Sequence, residues 1–284
     1  MSAARYILRA AAPDGIGILA DVMSHLANFR VSVTENHDFG DPQTAQFFIW
    51  AKFETEDGFN ETAFRDGFAT LAQRRQMEWS LRLESERPKA VILVSKGDHC
   101  LNDLLYRHRR GRLGAEIVAI VSNHPDTKWH ADRHDLPFHH IPVTKDTKPE
   151  AENQLRDVIG GTDADLVVLA RYMQVLSNEM CSELSGRCIN IHHSALPSFK
   201  GARPYHQAHD RGVKLVGATA HFVTTDLDEG PIIAQDVAAV DHRLTADRMA
   251  EMGKDIEARV LARAVKAHAE GRVFLNAKRT VVFE

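Results

Sequence analysis

The sequence predicts an α/β chain in two parts: a small ferredoxin-like βαββαβ unit, then a larger doubly wound, mostly parallel sheet. Three observations lead there. A polar stretch, Leu83-Glu84-Ser85-Glu86-Arg87-Pro88-Lys89, separates two hydrophobic patterns and reads as a linker. Before it, the pattern runs strand, helix, strand, strand, helix, strand. After it, short apolar runs alternate with helical stretches, as in a parallel sheet covered on both faces. The expected domains are therefore 1–85 and 86–284, and a chain of 284 residues is long enough for two.

In the first part, Arg5–Ala11 reads as a strand and Pro13-Asp14-Gly15 as a turn, with Asp14 expected to cap the next helix. Ile16, Leu19, Ala20, Met23, Leu26 and Ala27 recur at helical spacing. Val31–His37 and Gln46–Phe53 are strands around the turn Gly40-Asp41-Pro42. Glu61–Arg74 is a helix with Phe64, Phe68 and Leu71 on one face, and Met77–Leu83 alternates again. In the second part the expected strands are Ala90–Ser95, Glu116–Ser122, Asp165–Ala170, Cys188–Ile191, Leu215–Val223 and Ile232–Val240. Helices are expected at Leu101–Arg110, Pro149–Ile159 and Ser177–Leu184. Ala246–Glu270 forms one long amphipathic helix, and Val273–Phe283 a terminal hairpin.

Composition narrows the function. Net charge is −4. Residues 1–85 hold 8 Lys/Arg against 12 Asp/Glu, and residues 86–284 hold 27 of each, so neither part has the positive excess of a nucleic-acid binder. No apolar run approaches the roughly 18 residues of a membrane span, and no secretory leader is evident. Three cysteines, Cys100, Cys181 and Cys188, suit reduced thiols in a cytoplasmic protein. Of 16 histidines, 14 follow residue 85, so proton chemistry is expected in the second part.

Two stretches concentrate chemistry. Asn190-Ile191-His192-His193-Ser194 leaves the end of a predicted central strand, where open α/β sheets bind ligands. Asn190 and His192 are two apart and share one face. An amide suits a developing oxyanion, and imidazole suits proton transfer near neutrality. The second stretch, His221-Phe222-Val223-Thr224-Thr225-Asp226-Leu227-Asp228-Glu229-Gly230-Pro231, links two strands and holds three carboxylates. One of them beside His192 would orient the ring and favour its protonated form.

These motifs resemble the folate-dependent formyltransferase family. The resemblance rests on Asn190-Ile191-His192, Leu196-Pro197-Ser198 and Asp228 with Gly230. Ser95-Lys96 with Asp98-His99-Cys100-Leu101, Gly201-Ala202-Arg203-Pro204-Tyr205-His206-Gln207-Ala208 and Gly217-Ala218-Thr219-Ala220-His221-Phe222 add to it. It covers essentially the whole chain and is strongest over 188–233. It is greatest to the branch in which an ACT-type module precedes the transferase-like, Rossmann-like domain and water takes the formyl group.

The resemblance implies hydrolysis of 10-formyltetrahydrofolate to formate and tetrahydrofolate, serving one-carbon metabolism and purine synthesis. It implies Asn190, His192 and Asp228 as catalytic residues, with Asp226 the rival carboxylate by proximity. Folate contacts are implied at Met173, Gln174, Val175, Leu176, Thr224 and Asp226. The folate is substrate; no cofactor and no metal are expected. The first domain is expected to build a homo-oligomer, dimer or tetramer. It is also expected to take a small amino acid near Pro13-Asp14-Gly15-Ile16-Gly17, with Gly17 at the usual ACT glycine. The turn Ser95-Lys96-Gly97-Asp98-His99-Cys100-Leu101 keeps one glycine where the ribonucleotide transferase has a glycine-rich phosphate turn. This favours water over a phosphorylated amine, although Lys96 could still meet a phosphate.

Other chemistries fit less well. Ser194 lies in no Gly-x-Ser-x-Gly elbow. Cys100 beside His99, near a helix start, could be a nucleophile. His124, His130, His134, His139 and His140 match no standard zinc spacing, and adjacent strand residues such as His192 and His193 should point to opposite faces. A transferase acting on an amine, or a non-catalytic folate or amino-acid sensor, are the alternatives.

Overall fold

The computed structural model describes residues 4–196 and 204–284. They form two compact units, the chain up to Arg87 with Glu270–Glu284, and Pro88–Ala269.

The first unit contains β1 (Arg5–Pro13), α1 (Ile18–Asn28), β2 (Ser32–Asp41), β3 (Gln46–Glu54), α2 (Glu61–Arg75) and β4 (Glu78–Leu83), with antiparallel sheet order β2-β3-β1-β4. Tyr6, Leu8, Ala10 and Ala12 alternate along β1 and face Ile18, Val22 and Leu26 of α1 and Phe64, Phe68 and Leu71 of α2. Burying each large apolar side chain contributes ~1.5–3 kcal/mol. Asp14 does not cap α1. The N-cap is Gly17 at φ +83°, a left-handed position that glycine takes without a Cβ penalty. Asp14 instead gives its N–H to the Ala45 carbonyl, and its carboxylate lies against Gly40.

The second unit comprises β5 (Lys89–Val94), α3 (His99–Arg109), β6 (Glu116–Ser122), α4 (Lys128–Arg133), β7 (Phe138–His140), α5 (Lys148–Gly161), β8 (Leu166–Leu169), α6 (Asn178–Glu183), β9 (Cys188–His192), α7 (Pro204–Asp210), β10 (Leu215–Phe222), β11 (Ile232–Ala239) and α8 (Ala246–Ala269). The sheet order is β11-β10-β9-β8-β5-β6-β7, parallel from β9 to β7 and antiparallel across β9/β10 and β10/β11. All four residues of β8 and five of six in β5 are buried, which explains their unbroken apolar sequence. From β5 the chain winds outward to β6 and β7, then returns to β8 on the other side. The carboxyl ends of β5 and β8 therefore diverge at a topological switch point. The short β7 and α7 were not expected, because their histidine-rich sequences carry no periodic apolar stripe. No helix among the described residues is long and apolar enough to cross a membrane.

The terminal hairpin, β12 (Val273–Asn276) with β13 (Arg279–Val282), belongs to the first unit and not, as expected, to the second. The reason is the other face of the first sheet. Ile7, Phe48 and Trp50 are apolar there and are covered by Phe274 and Phe283. The Trp50 indole N–H donates to the Glu270 carbonyl at 3.0 Å, Arg272 stacks over the Trp50 ring, and Asn276 donates to the buried Asp41 carboxylate at 2.6 Å.

Candidate active site

In the second unit, the strand ends of β8 and β9 and the β10–β11 connection enclose a cleft of ≈ 300 Å³. Asn190 and His192 both line it, as their i, i+2 spacing requires. The antiparallel register sets Asn190 opposite His221 and His192 opposite Thr219. His221 Nδ1 donates to the Phe222 carbonyl at 2.8 Å, and its Nε2 stands 3.2 Å from Asn190 Nδ2.

Asp228 reaches the same place from the β10–β11 turn. Its Oδ1 is 3.2 Å from His192 Nδ1 and 3.7 Å from His221 Nε2. The neighbouring His192 ring, then that of His221, holds its carboxyl well below the usual carboxylate range. Asp228 sits at φ +57°. Gly230 closes the turn: a Cβ there would lie 1.8 Å from the Phe222 carbonyl oxygen, so only glycine lets the turn fold back on β10. Asp226 is exposed and does not line the cleft. Its carbonyl accepts from the Thr224 hydroxyl at 3.0 Å, and Thr224 itself lines the cleft.

The opposite wall is the loop after β8. Met173, Gln174, Val175 and Leu176 all line the cleft. Met173 and Val175 are exposed, whereas Leu176 is buried in the core. Buried Ser95 fixes the loop, accepting from the Met173 N–H at 2.9 Å and donating to Asn123 at 2.7 Å. At the far end, the Ser177 N–H donates to Glu152 at 2.7 Å.

Behind the cleft lies a buried polar network. Glu257, on α8, is 2% exposed. It meets His99 Nε2 at 2.9 Å, accepts from the Tyr205 hydroxyl at 2.8 Å, and pairs with Arg171 Nε at 3.3 Å. Burial pushes its carboxyl up, but these partners outweigh burial and hold it below its ordinary value. Arg171, at φ +65°, donates in turn to His193 Nδ1 at 2.9 Å.

The profile of the formyl transferase family matches residues 88–265. The formyltetrahydrofolate deformylase of Corynebacterium sp. (strain P-1) is 48% identical over 279 residues, covering 98% of each chain. The chain belongs to the formyltetrahydrofolate deformylase family. A crystal structure of a deformylase from Burkholderia mallei ATCC 23344 superposes with a TM-score of 0.95 at 51% identity, over 99% of this chain and 100% of that one. Glycinamide ribonucleotide transformylase 1 from Symbiobacterium toebii is more distant, with a TM-score of 0.66 at 28% identity over 72% of this chain and 98% of that one.

The other candidates weighed from the sequence can be placed in this deformylase-family chain. Cys100 is buried and its thiol is pushed well up by burial, so it is no thiolate nucleophile. His192 and His193 do not point apart. Regular strand ends at His192, and the two rings stack with centroids 4.6 Å apart. Among the described residues, the one convergent set of three potential metal ligands is His99, Cys100 and Glu257, not the His124–His140 cluster. Arg171 already supplies a cation to its carboxylate. Pro197–Lys200 and Gly201-Ala202-Arg203 lie outside the described residues. Glu257 was missed. The available signal for Glu257 was a carboxylate one residue from Ile256 and three from Val260, both on the inward face of the long helix.

Proposed function

We propose that this protein hydrolyses 10-formyltetrahydrofolate to formate and tetrahydrofolate. The observation that carries the reading is the meeting of Asn190, His192 and Asp228 at one end of a cleft whose facing wall is the apolar loop Met173–Leu176. The folate ring packs against that loop and takes its polar edges to backbone groups there and to Thr224. The formyl group then lies over Asn190, whose amide donates to the carbonyl oxygen as it gains charge. Asp228 holds His192 with Nδ1–H toward the carboxylate. His192 Nε2 is left to take a proton from water and return it to the leaving nitrogen. The test is incubation with 10-formyltetrahydrofolate and no amine. Release of equimolar formate and tetrahydrofolate supports the reading, and absence of both contradicts it.

Likeness to the ribonucleotide transformylase favours one second reading, transfer to an amine. Against it, two side chains of the β5–α3 turn are already engaged: Asp98 with His130 at 3.0 Å and His99 with Glu257. Formyl-amine made only when glycinamide ribonucleotide is added would favour transfer.

The first unit is proposed to assemble the protein and to sense a small amino acid. Its edge strand β2 runs for 10 residues and exposes Val33 and Phe39, a surface suited to pairing with a second copy. Ile16, beside Gly17, is 99% exposed. Sedimentation of the full chain and thermal-shift screening against amino acids test these proposals. A monomer, or no stabilisation by any amino acid, contradicts the respective one.

A further inference from the structure

His193 has no part in the mechanism above, yet its ring lines the cleft and stacks on His192, with centroids 4.6 Å apart and planes inclined by 23°. Arg171 Nη1 donates to His193 Nδ1, and a guanidinium has no lone pair to offer in return. His193 Nδ1 is therefore an acceptor, and the neutral ring carries its hydrogen on Nε2. That Nε2 is buried and has no partner among the described residues.

His192 is its complement. His192 Nδ1 lies 3.2 Å from Asp228 Oδ1; with the hydrogen on that nitrogen, Nε2 of the neutral tautomer is a lone pair, and it is also buried and unpartnered among the described residues. A donor and an acceptor thus stand on two stacked rings. A buried polar atom left unpaired costs about 1–3 kcal/mol, so each position favours a hydrogen-bonding partner, an acceptor at His193 and a donor at His192. Water is both. Burial, and then the charge of Arg171, hold the His193 imidazole neutral down to about pH 4. Glu257 anchors Arg171 from behind. The donor is therefore fixed in tautomer and in charge.

We propose that His193 is a further catalytic residue, whose Nε2–H holds the attacking water against His192 Nε2 and so selects water as the formyl acceptor. The proposal rests on the hydrolytic reading. In the step, the water oxygen forms a bond to the formyl carbon and passes one proton to His192 Nε2. The carbonyl electron pair moves to the oxygen held by Asn190. Collapse of that intermediate breaks the bond from carbon to folate nitrogen. The nitrogen takes the proton from His192, and formic acid leaves and ionises to formate.

The experiment compares His193→Phe, which keeps a ring on His192 without a donor, with His193→Gln, which keeps an N–H near the Nε2 position. In His193→Phe, kcat for formate release should fall ~10²-fold with KM for the folate within about threefold of wild type. At saturating hydroxylamine, which needs no held water, formyl transfer to hydroxylamine should stay within about threefold of wild type, and His193→Gln should restore most of the hydrolysis. Wild-type hydrolysis in His193→Phe, or equal loss of hydrolysis and hydroxylamine transfer, would overturn the proposal. Should the phenylalanine variant not fold, His193→Met against His193→Gln makes the same comparison. A wild-type chain that releases no formate fails the hydrolytic reading and this inference together. A wild-type chain that hydrolyses beside a fully active His193→Phe fails this inference alone.

Discussion

Asp228 is held between two histidines at a left-handed backbone position, and Asn190 and His192 stand together on one strand face. If these three do the chemistry, Asn190→Ala, His192→Ala and Asp228→Asn should each lower kcat by ~10²–10³ while the chain still folds. Asp226→Asn should leave kcat unchanged, because its side chain is outside the cleft. Steady-state assays with thermal melts check all four. Glu257→Ala is expected to act differently. It strands Arg171 and His99 in a buried setting and should cost ~3–5 kcal/mol in a denaturant titration. At this scale, Asn190 and His192 were legible because two-residue spacing on a strand fixes a shared face. The stacking of His193 and the partners of Glu257 were not, because they depend on where β9 ends and on what α8 packs against.

Among the elements, α8 carries the densest constraint. A Cβ at Gly253 would lie 2.1–2.4 Å from the Tyr205 ring atoms, so the missing side chain is what lets Tyr205 reach Glu257. Gly253→Ala should cost ~1–3 kcal/mol by urea unfolding, despite alanine's better helix propensity. An unchanged or higher midpoint would show that Tyr205 can move aside. Phe274→Ala in the terminal hairpin should destabilise by ~3–5 kcal/mol, since it uncovers Phe48 and Trp50. The long strands and helices were legible from period alone. The hairpin's place was not, because its apolar residues say that they are buried but not against which sheet. Alternation along β1 and β3 shows two apolar faces only once the helices are known to cover one of them.

For the molecule as a whole, the buried neutral His193 links stability to pH. Its folded pKa, about 4, lies below the ordinary value of 6.5, so between these pH values the unfolded chain binds a proton that the folded chain refuses. Its contribution is present above about pH 6.5 and is lost as pH falls towards 4, on the order of 3 kcal/mol. His25, lowered by burial in the first unit, acts in the same direction. Asp228 contributes above the ordinary carboxylate range and is lost only as pH falls through its still lower folded value. The urea midpoint should therefore drop from pH 7 to pH 5, and His193→Phe should drop less; equal drops would contradict this. The central claim, that water is the formyl acceptor, is tested most directly by turnover of 10-formyltetrahydrofolate in ¹⁸O-labelled water without amine. The account predicts that each formate released carries one labelled oxygen and appears with one tetrahydrofolate. No formate without an amine, with the formyl group recovered on the amine when one is supplied, would contradict it.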